Sequence, residues 1–140
     1  MFYHFEVFRE KDGLWAECVE FRGCKTQADS IGELEANCFE SLNLFLEEPN
    51  ESKIIFRLPD KELDKDPNFL KVEVEPEIGF AVLLKFYRNR HNWTQKEVAS
   101  KLGMKNLYSY QRLEKKSNPT LNIIKKVKTV FPEMSLEYIV

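Results

Sequence analysis

A polar segment in the second half of the chain carries side chains that can bind nucleic acid. The candidates for contact with base edges are Asn106, Tyr108, Ser109 and Arg112. The guanidinium of Arg112 can donate two hydrogen bonds to one guanine, which is the commonest specific contact in the major groove. Gln95 and Lys105 lie at the starts of two candidate helices, and we expect them to hold phosphates. These six residues are the predicted DNA-binding set.

The sequence lacks the residue patterns that metal binding and nucleophilic catalysis need. The three cysteines, Cys18, Cys24 and Cys38, form no CxxC pair, and the two histidines are far apart in the sequence. The chain also contains no glycine-rich phosphate loop and no HExxH segment. We therefore predict no metal site, no cofactor and no disulfide framework, with the cysteines as small apolar residues in a reducing compartment. His4 is expected at the rim of a sheet, and His91 as a cation at a helix end.

Carboxylates are the remaining route to catalysis. Glu6, Glu17 and Glu20 lie in two predicted strands and would have to cluster around magnesium to form a nuclease site. Glu6 and Glu20 fall on the weaker apolar faces of their strands, where a solvated charge is the ordinary state. The sequence therefore predicts that the protein is not an enzyme, and we assign no catalytic residue.

Two short helices are expected to position the DNA-binding set. Thr94 and Glu97 have the spacing of a capping box, and Gly103 suits the left-handed residue that ends a helix. Asn106 can cap the second helix. The residues expected to pack the two helices inward are Val98, Ala99, Leu102, Leu107, Tyr110 and Leu113. This pattern predicts a helix-turn-helix whose second helix lies in the DNA major groove.

Further helices are predicted on both sides of this pair. Residues 78–91 are expected to form a helix that Asn92 ends. Its inward residues are expected to be Phe80, Leu83, Leu84 and Tyr87, with Phe86 as a further candidate. Thr120 can cap a last helix, whose expected inward residues are Leu121, Ile124, Val127 and Phe131. The apolar tail, residues 135–140, is expected to pack on the helices or on a second subunit.

The first half of the sequence is predicted to form three antiparallel strands. Residues 2–9 and 14–21 alternate in polarity, and the Asp12-Gly13 turn between them is typical of a hairpin. The better apolar face of the first strand consists of Tyr3, Phe5 and Val7. Residues 24–28 are expected to add a short third strand.

A helix and a late strand should complete an α+β layer. Ser30 with Glu33 forms a second capping box, and the helix that follows is expected to end near Glu47 or Glu48, before Pro49 and Asn50. Its expected core face is Ile31, Leu34, Cys38, Leu42 and Phe45. Residues 54–56 predict a short extended piece, residues 60–68 a loop, and residues 70–75 a strand that Pro76 ends.

Charge divides the chain into two parts. Residues 1–79 contain 9 basic and 19 acidic residues, whereas residues 80–140 contain 12 basic and 4 acidic residues. This asymmetry suggests nucleic acid as a partner of the second part and a basic partner for the first. No apolar run approaches the ~20 residues of a membrane span, and the start of the chain lacks the basic lead of a signal peptide. We therefore expect a cytoplasmic protein with no membrane segment.

The segment TQKEVASKLG, followed by YSYQRLEKKSNPTL, resembles the Xre/Cro-like repressor family. The turn is one residue longer here than in the commonest members of that family. The resemblance implies an all-α helix-turn-helix domain, which we assign to residues 77–140, that binds double-stranded operator DNA.

The whole chain resembles the HicB-type antitoxins of type II toxin–antitoxin systems. The resemblance rests on the hairpin with a glycine turn, on GCKTQADSIGELEANCFESL, and on a KVEVEP strand ahead of a helical DNA-binding half. It implies a partial RNase H-like β-β-β-α-β domain, assigned to residues 1–76, that neutralises a small basic HicA-type toxin. Such a toxin cleaves mRNA, and the antitoxin would also repress its own operon. Since one helix-turn-helix contacts few base pairs, specific repression predicts a homodimer or a higher oligomer.

Two other functions remain open at the level of the sequence. One is a transcriptional regulator whose N-terminal domain senses a small ligand, although no glycine-rich or cationic pocket is evident. The other is an RNase H-like nuclease that would use the strand carboxylates.

Overall fold

The computed structural model describes residues 1–47 and 54–139, which form two compact units. The first unit comprises Met1–Leu46 and Pro59–Glu75, and the second comprises Glu47–Leu58 and Pro76–Val140. The first consists of a sheet with one long helix, and the second is helical. The predicted α+β class is therefore confirmed.

Four antiparallel strands form the sheet of the first unit. They are β1 (Phe2–Glu10), β2 (Gly13–Cys18), β3 (Lys25–Ala28) and β4 (Phe69–Glu73), in the order β3-β2-β1-β4. The central strand β1 pairs Val7 with Ala16 of β2 and Phe5 with Leu70 of β4. The predicted element order β-β-β-α-β is present, while the RNase H likeness rests on the resemblance alone.

Strand β2 ends earlier than the alternation predicts. It stops at Cys18: the Val19 amide still donates to the His4 carbonyl, but the His4 amide donates to the Glu20 carboxylate at 3.0 Å, so the pairing of backbone groups is not continued. Predicted loop 60–68 is also only partly irregular. It contains a 3-10 helix, Lys61–Lys65, whose start is capped by the Asp60 side chain.

Helix α1 (Ile31–Leu46) covers one face of the sheet. Leu34, Cys38 and Leu42 are buried as predicted, but Ile31, its first residue, is 42% exposed. Asn43 is buried instead, because its side-chain amide donates to the Glu73 carbonyl and its oxygen accepts from the Glu75 amide. The helix ends at Leu46, one residue before the predicted end at Glu47, while Glu48, Pro49 and Asn50 lie outside the described residues.

The second unit contains four α-helices within the described part of the chain. They are α2 (Pro76–Arg90), α3 (Gln95–Lys101), α4 (Leu107–Leu113) and α5 (Leu121–Val130), followed by a 3-10 helix, Leu136–Tyr138. Helix α2 begins two residues earlier than predicted because proline is well tolerated in the first turn of a helix. The core includes Phe80, Leu83, Leu84, Tyr87, Val98, Tyr110, Val127 and Phe131. Across the described residues, no helix has both the length and the apolar character needed to cross a membrane.

Two leucines predicted to lie in this core are exposed. Leu107 is 40% exposed and Leu121 is 84% exposed. Each is the first residue of its helix, so each lies outside the turns that the neighbouring helices cover. The predictions for these two residues were therefore wrong.

Candidate nucleic-acid interface

The turn geometry around α3 follows from its capping residues. The Thr94 hydroxyl accepts a hydrogen bond from the Glu97 amide at 3.1 Å, which begins the helix. Gly103 has a φ of +71°, and the Met104 amide donates to the Ala99 carbonyl at 2.9 Å, which ends it in a left-handed cap. Asn92 ends α2 in the same way, with a φ of +57°. The predicted caps are confirmed.

Helix α4 exposes most of the predicted DNA-binding set. Asn106 caps the helix because its side-chain oxygen accepts from the Tyr108 amide at 2.8 Å. Tyr110 and Leu113 turn into the core. The exposed members of the set are Lys105, Asn106, Tyr108, Ser109 and Arg112. Five of the six predicted residues thus belong to one solvent-exposed segment, with Tyr108 61% exposed.

Gln95 differs from the other five because its carboxamide is engaged within the unit. It is half-buried, its nitrogen donates to Glu114 Oε1 at 2.9 Å, and its oxygen accepts from the Gln111 nitrogen at 3.1 Å. These bonds connect the start of α3 to α4. The structure therefore gives Gln95 a positioning role in addition to its predicted phosphate contact, and it adds Gln111, which the sequence did not single out.

A buried carboxylate organises the contact between these helices. Glu114 is 3% exposed and accepts from the Arg88 Nε at 2.6 Å, from the Arg88 Nη2 at 3.0 Å, and from the Tyr110 hydroxyl. Burial would lower the pKa of Arg88, but its hydrogen bonds and charge pairing with Glu114 outweigh this effect and raise it. Burial and the neighbouring Glu114 carboxylate also raise the pKa of Tyr110, so its hydroxyl remains a donor.

Aromatic and basic side chains surround the end of α2. His91 stacks on Trp93, with ring centroids 4.3 Å apart, and pairs with Glu133. The ammonium of Lys101 lies 4.4 Å from the centre of the Trp93 ring. The hydrogen bond from His91 lowers the pKa of Glu133. His91 thus lies directly after the end of α2, the position predicted for it, and its ring contacts the Glu133 carboxylate.

The candidate carboxylates of the first unit do not share one site. The Arg22 Nη1 lies 3.6 Å from Glu6 Oε2 and 3.1 Å from Glu17 Oε1. Glu20, in contrast, is buried beside His4. The backbone hydrogen bond from Gly23, together with Arg22, lowers the pKa of Glu17. In the described ranges, no group of three or more His, Cys, Asp or Glu residues is placed to hold a metal ion.

The prediction that His4 lies at a sheet rim was wrong. Its side chain is fully buried, with Nδ1 2.7 Å from Glu20 Oε2 and Nε2 2.7 Å from Asp64 Oδ1. The inward turn at Glu20 and the 3-10 helix that carries Asp64 cover this position of the sheet. Both partners lie far from His4 in the sequence, so the alternation of β1 could not indicate them.

The second unit also matches a known family. Residues 84–139 match the family model described as Helix-turn-helix, a range that runs from within α2 to the last 3-10 helix. No curated protein matches the chain. The predicted Xre/Cro-like helix-turn-helix is thereby confirmed, and with it the class of function: the second unit is a DNA-binding region of the kind that transcriptional regulators carry.

Proposed function

We propose that this protein is an antitoxin that neutralises a HicA-type mRNA-cleaving toxin and represses its own operon. The observation that carries the proposal is the separation of charge between the two units. The first unit contains 15 acidic and 7 basic residues, and the second contains 8 acidic and 14 basic residues. Opposite charge attracts phosphate to one unit and a basic protein to the other.

A cleft in the first unit supports a cationic partner. It measures about 350 Å³ and lies where the hairpin of β1 and β2 meets the start of α1. Its carboxylates are Glu10, Asp12, Asp29 and Glu33, and the described residues that line it include no lysine or arginine. Trp15 also lines the cleft and stacks on Phe8 with ring centroids 4.2 Å apart. A lysine or arginine of a partner protein could contact these carboxylates and also the aromatic surface of Trp15.

Repression of the operon would require binding to its operator, and the exposed surface of α4 supports this role. The segment Asn106–Arg112 offers hydrogen-bond donors and acceptors to base edges, and Lys105 can displace a phosphate counterion. One such helix contacts few base pairs, so we infer that two copies bind a two-fold operator. The proposal includes no catalytic step. In its support, the buried Glu20 carboxylate is already held by the His4 ring, the His4 amide and the Asp60 amide.

The decisive experiment tests for the protein partner. The full chain, tagged at one end, is co-expressed with the product of the adjacent open reading frame, and complex formation and rescue of growth are measured. We expect a small basic protein to co-purify and to be inactive in the complex. Absence of such a neighbour, or of any complex with it, would overturn the antitoxin proposal.

Charge variants test whether the cleft is the surface that binds the toxin. The double variant Asp12→Lys/Asp29→Lys should weaken the complex strongly. The matched control, Glu35→Lys/Glu40→Lys on the exposed side of α1, makes the same change in net charge away from the cleft and should leave the complex intact. Equal weakening by both variants would show that the cleft has no special part in binding.

A further inference from the structure

The first residue of α4 is an exposed leucine among polar side chains. Leu107 is 40% exposed and lies between Asn106 and Tyr108, both of which are also exposed. The residues of α4 that enter the core are Tyr110 and Leu113. Leu107 therefore does not belong to the packing of this helix in the way that its spacing predicted.

Helix geometry places Leu107 at the edge of the outward surface. With about 100° between successive residues, Tyr108 lies roughly opposite the two core residues and Arg112 lies on the same side as Tyr108, while Leu107 lies about 60° from Tyr110 and about 100° from Tyr108. Gln111 follows one turn later on the same edge, and its bond to Gln95 shows that this edge is the one facing α3. Leu107 thus lies at the start of the helix, beside the residues predicted to contact base edges.

The chemistry of leucine restricts what it can recognise in the major groove. Its side chain has no donor or acceptor, so it cannot pair with the polar edges of guanine, cytosine or adenine. The C5-methyl group of thymine is the apolar group exposed in that groove. An exposed leucine on its own is ordinary, but the first residues of a recognition helix are those that contact bases.

We propose that Leu107 is a specificity-determining residue that contacts the C5-methyl group of a thymine in the operator. This inference rests on the DNA-recognition role of α4. The neighbouring polar side chains would contact adjacent bases by hydrogen bonds, while Leu107 selects thymine through burial of one methyl group. Each half of a two-fold operator would then contain one such thymine.

Uracil provides the test, because it pairs as thymine does and lacks only the methyl group. A duplex is first selected from a randomised library with the full-length protein, and each thymine in it is then replaced in turn by deoxyuridine. We expect one position in each half-site at which the replacement weakens binding about fourfold, the effect of removing one buried methyl group. Leu107→Ala should bind the thymine duplex more weakly and should show no further loss with deoxyuridine at that position.

The matched control is Leu121→Ala, which truncates the other exposed leucine that begins a helix of this unit. It should keep the full sensitivity to deoxyuridine. If every single replacement leaves the affinity of the unaltered protein unchanged, or if Leu107→Ala keeps the loss, Leu107 does not contact a thymine methyl. If the library yields no enriched sequence at all, the DNA-recognition role of α4 fails instead, so the two failures can be distinguished.

Discussion

Arg88 on α2 and Glu114 at the end of α4 form a two-bond ion pair within the helical unit. The Nε–Oε2 distance is 2.6 Å and the Nη2–Oε1 distance is 3.0 Å, and the side chains are 18% and 2% exposed. The Tyr110 hydroxyl and the Gln95 amide bind the same carboxylate. The orientation of α4 relative to α2 and α3 therefore depends on one buried charge.

Breaking this pair from one side should be costly. Arg88→Met leaves the Glu114 carboxylate buried without its cation, so we expect a loss of about 3–5 kcal/mol in the free energy of unfolding. The double variant Arg88→Met/Glu114→Leu should lose less than the sum of the two single changes, because no isolated charge remains. Urea unfolding monitored by Trp93 fluorescence, in a Trp15→Phe background, measures the second unit. Arg90→Met, which removes an exposed cation from the same helix, should change stability by less than about 0.5 kcal/mol. Additive single and double losses would argue against the ion pair.

Asn106 combines two roles that two substitutions can separate. Its oxygen caps α4 through the Tyr108 amide, and its nitrogen remains available as a donor to a base. Asn106→Ala should destabilise the unit by about 1 kcal/mol and also weaken operator binding. Asn106→Ser retains a capping oxygen but lacks the amide donors, so it should keep the stability and lose the discrimination. Operator binding equal to that of the unaltered protein in the serine variant would limit Asn106 to capping.

Arg112 is the predicted contact to guanine. Arg112→Ala should reduce the discrimination between the selected operator and random DNA by about 1–3 kcal/mol, because a two-bond contact to one base is lost. Lys126→Ala removes the same charge from an exposed position on α5. It should weaken binding to the operator and binding to random DNA to the same degree. Competition binding at a fixed salt concentration measures both effects. Discrimination that is unchanged in Arg112→Ala would exclude Arg112 from base recognition.

The three cysteines should be unreactive in the folded protein. Burial raises the pKa of Cys18 and Cys38 to about 12 and that of Cys24 to about 11. At pH 8 the thiolate fraction would be roughly 0.1% or less, compared with roughly 10% for a thiol of ordinary pKa 9.0. Reaction with a disulfide reagent should therefore be at least about 100-fold slower in the native than in the denatured protein, and should accelerate as the pH rises toward 11. Rapid reaction of a single thiol at pH 8 would contradict the burial of that cysteine.

The capping residues were predictable from the sequence because each acts on an amide two or three positions away. Thr94 and Asn106 are examples, and the helix boundaries that they set agree with the structure to within a residue or two. The partners of the buried side chains Glu114 and His4 were not predictable. Glu114 lies 26 residues from Arg88, and Asp64 lies 60 residues from His4, so no local pattern connects the partners. Periodicity also failed at Leu107, since spacing alone does not tell which neighbour covers the first turn of a helix.

His4 joins three separate segments of the first unit through its imidazole ring. Glu20 and Asp64 each place a carboxylate oxygen 2.7 Å from a different ring nitrogen. The ring thus connects β1 to the turn after β2 and to the 3-10 helix.

Replacing the imidazole by an apolar ring of similar size isolates the contribution of its polar contacts. His4→Phe should lower the free energy of unfolding of the first unit by about 1–3 kcal/mol, because the buried Glu20 carboxyl group then loses its contact with the ring. His91→Phe is the control, since the side chains of His91 and Glu133 are partly exposed and their pair should be worth less than about 1 kcal/mol. In the His4 variant, Trp15 fluorescence in a Trp93→Phe background reports the unfolding of the first unit. In the His91 control, Trp93 fluorescence in a Trp15→Phe background reports the unfolding of the second unit. If His4→Phe/Glu20→Leu is as unstable as His4→Phe alone, lost packing accounts for the effect, whereas recovery in the double variant assigns it to the unpaired carboxylate.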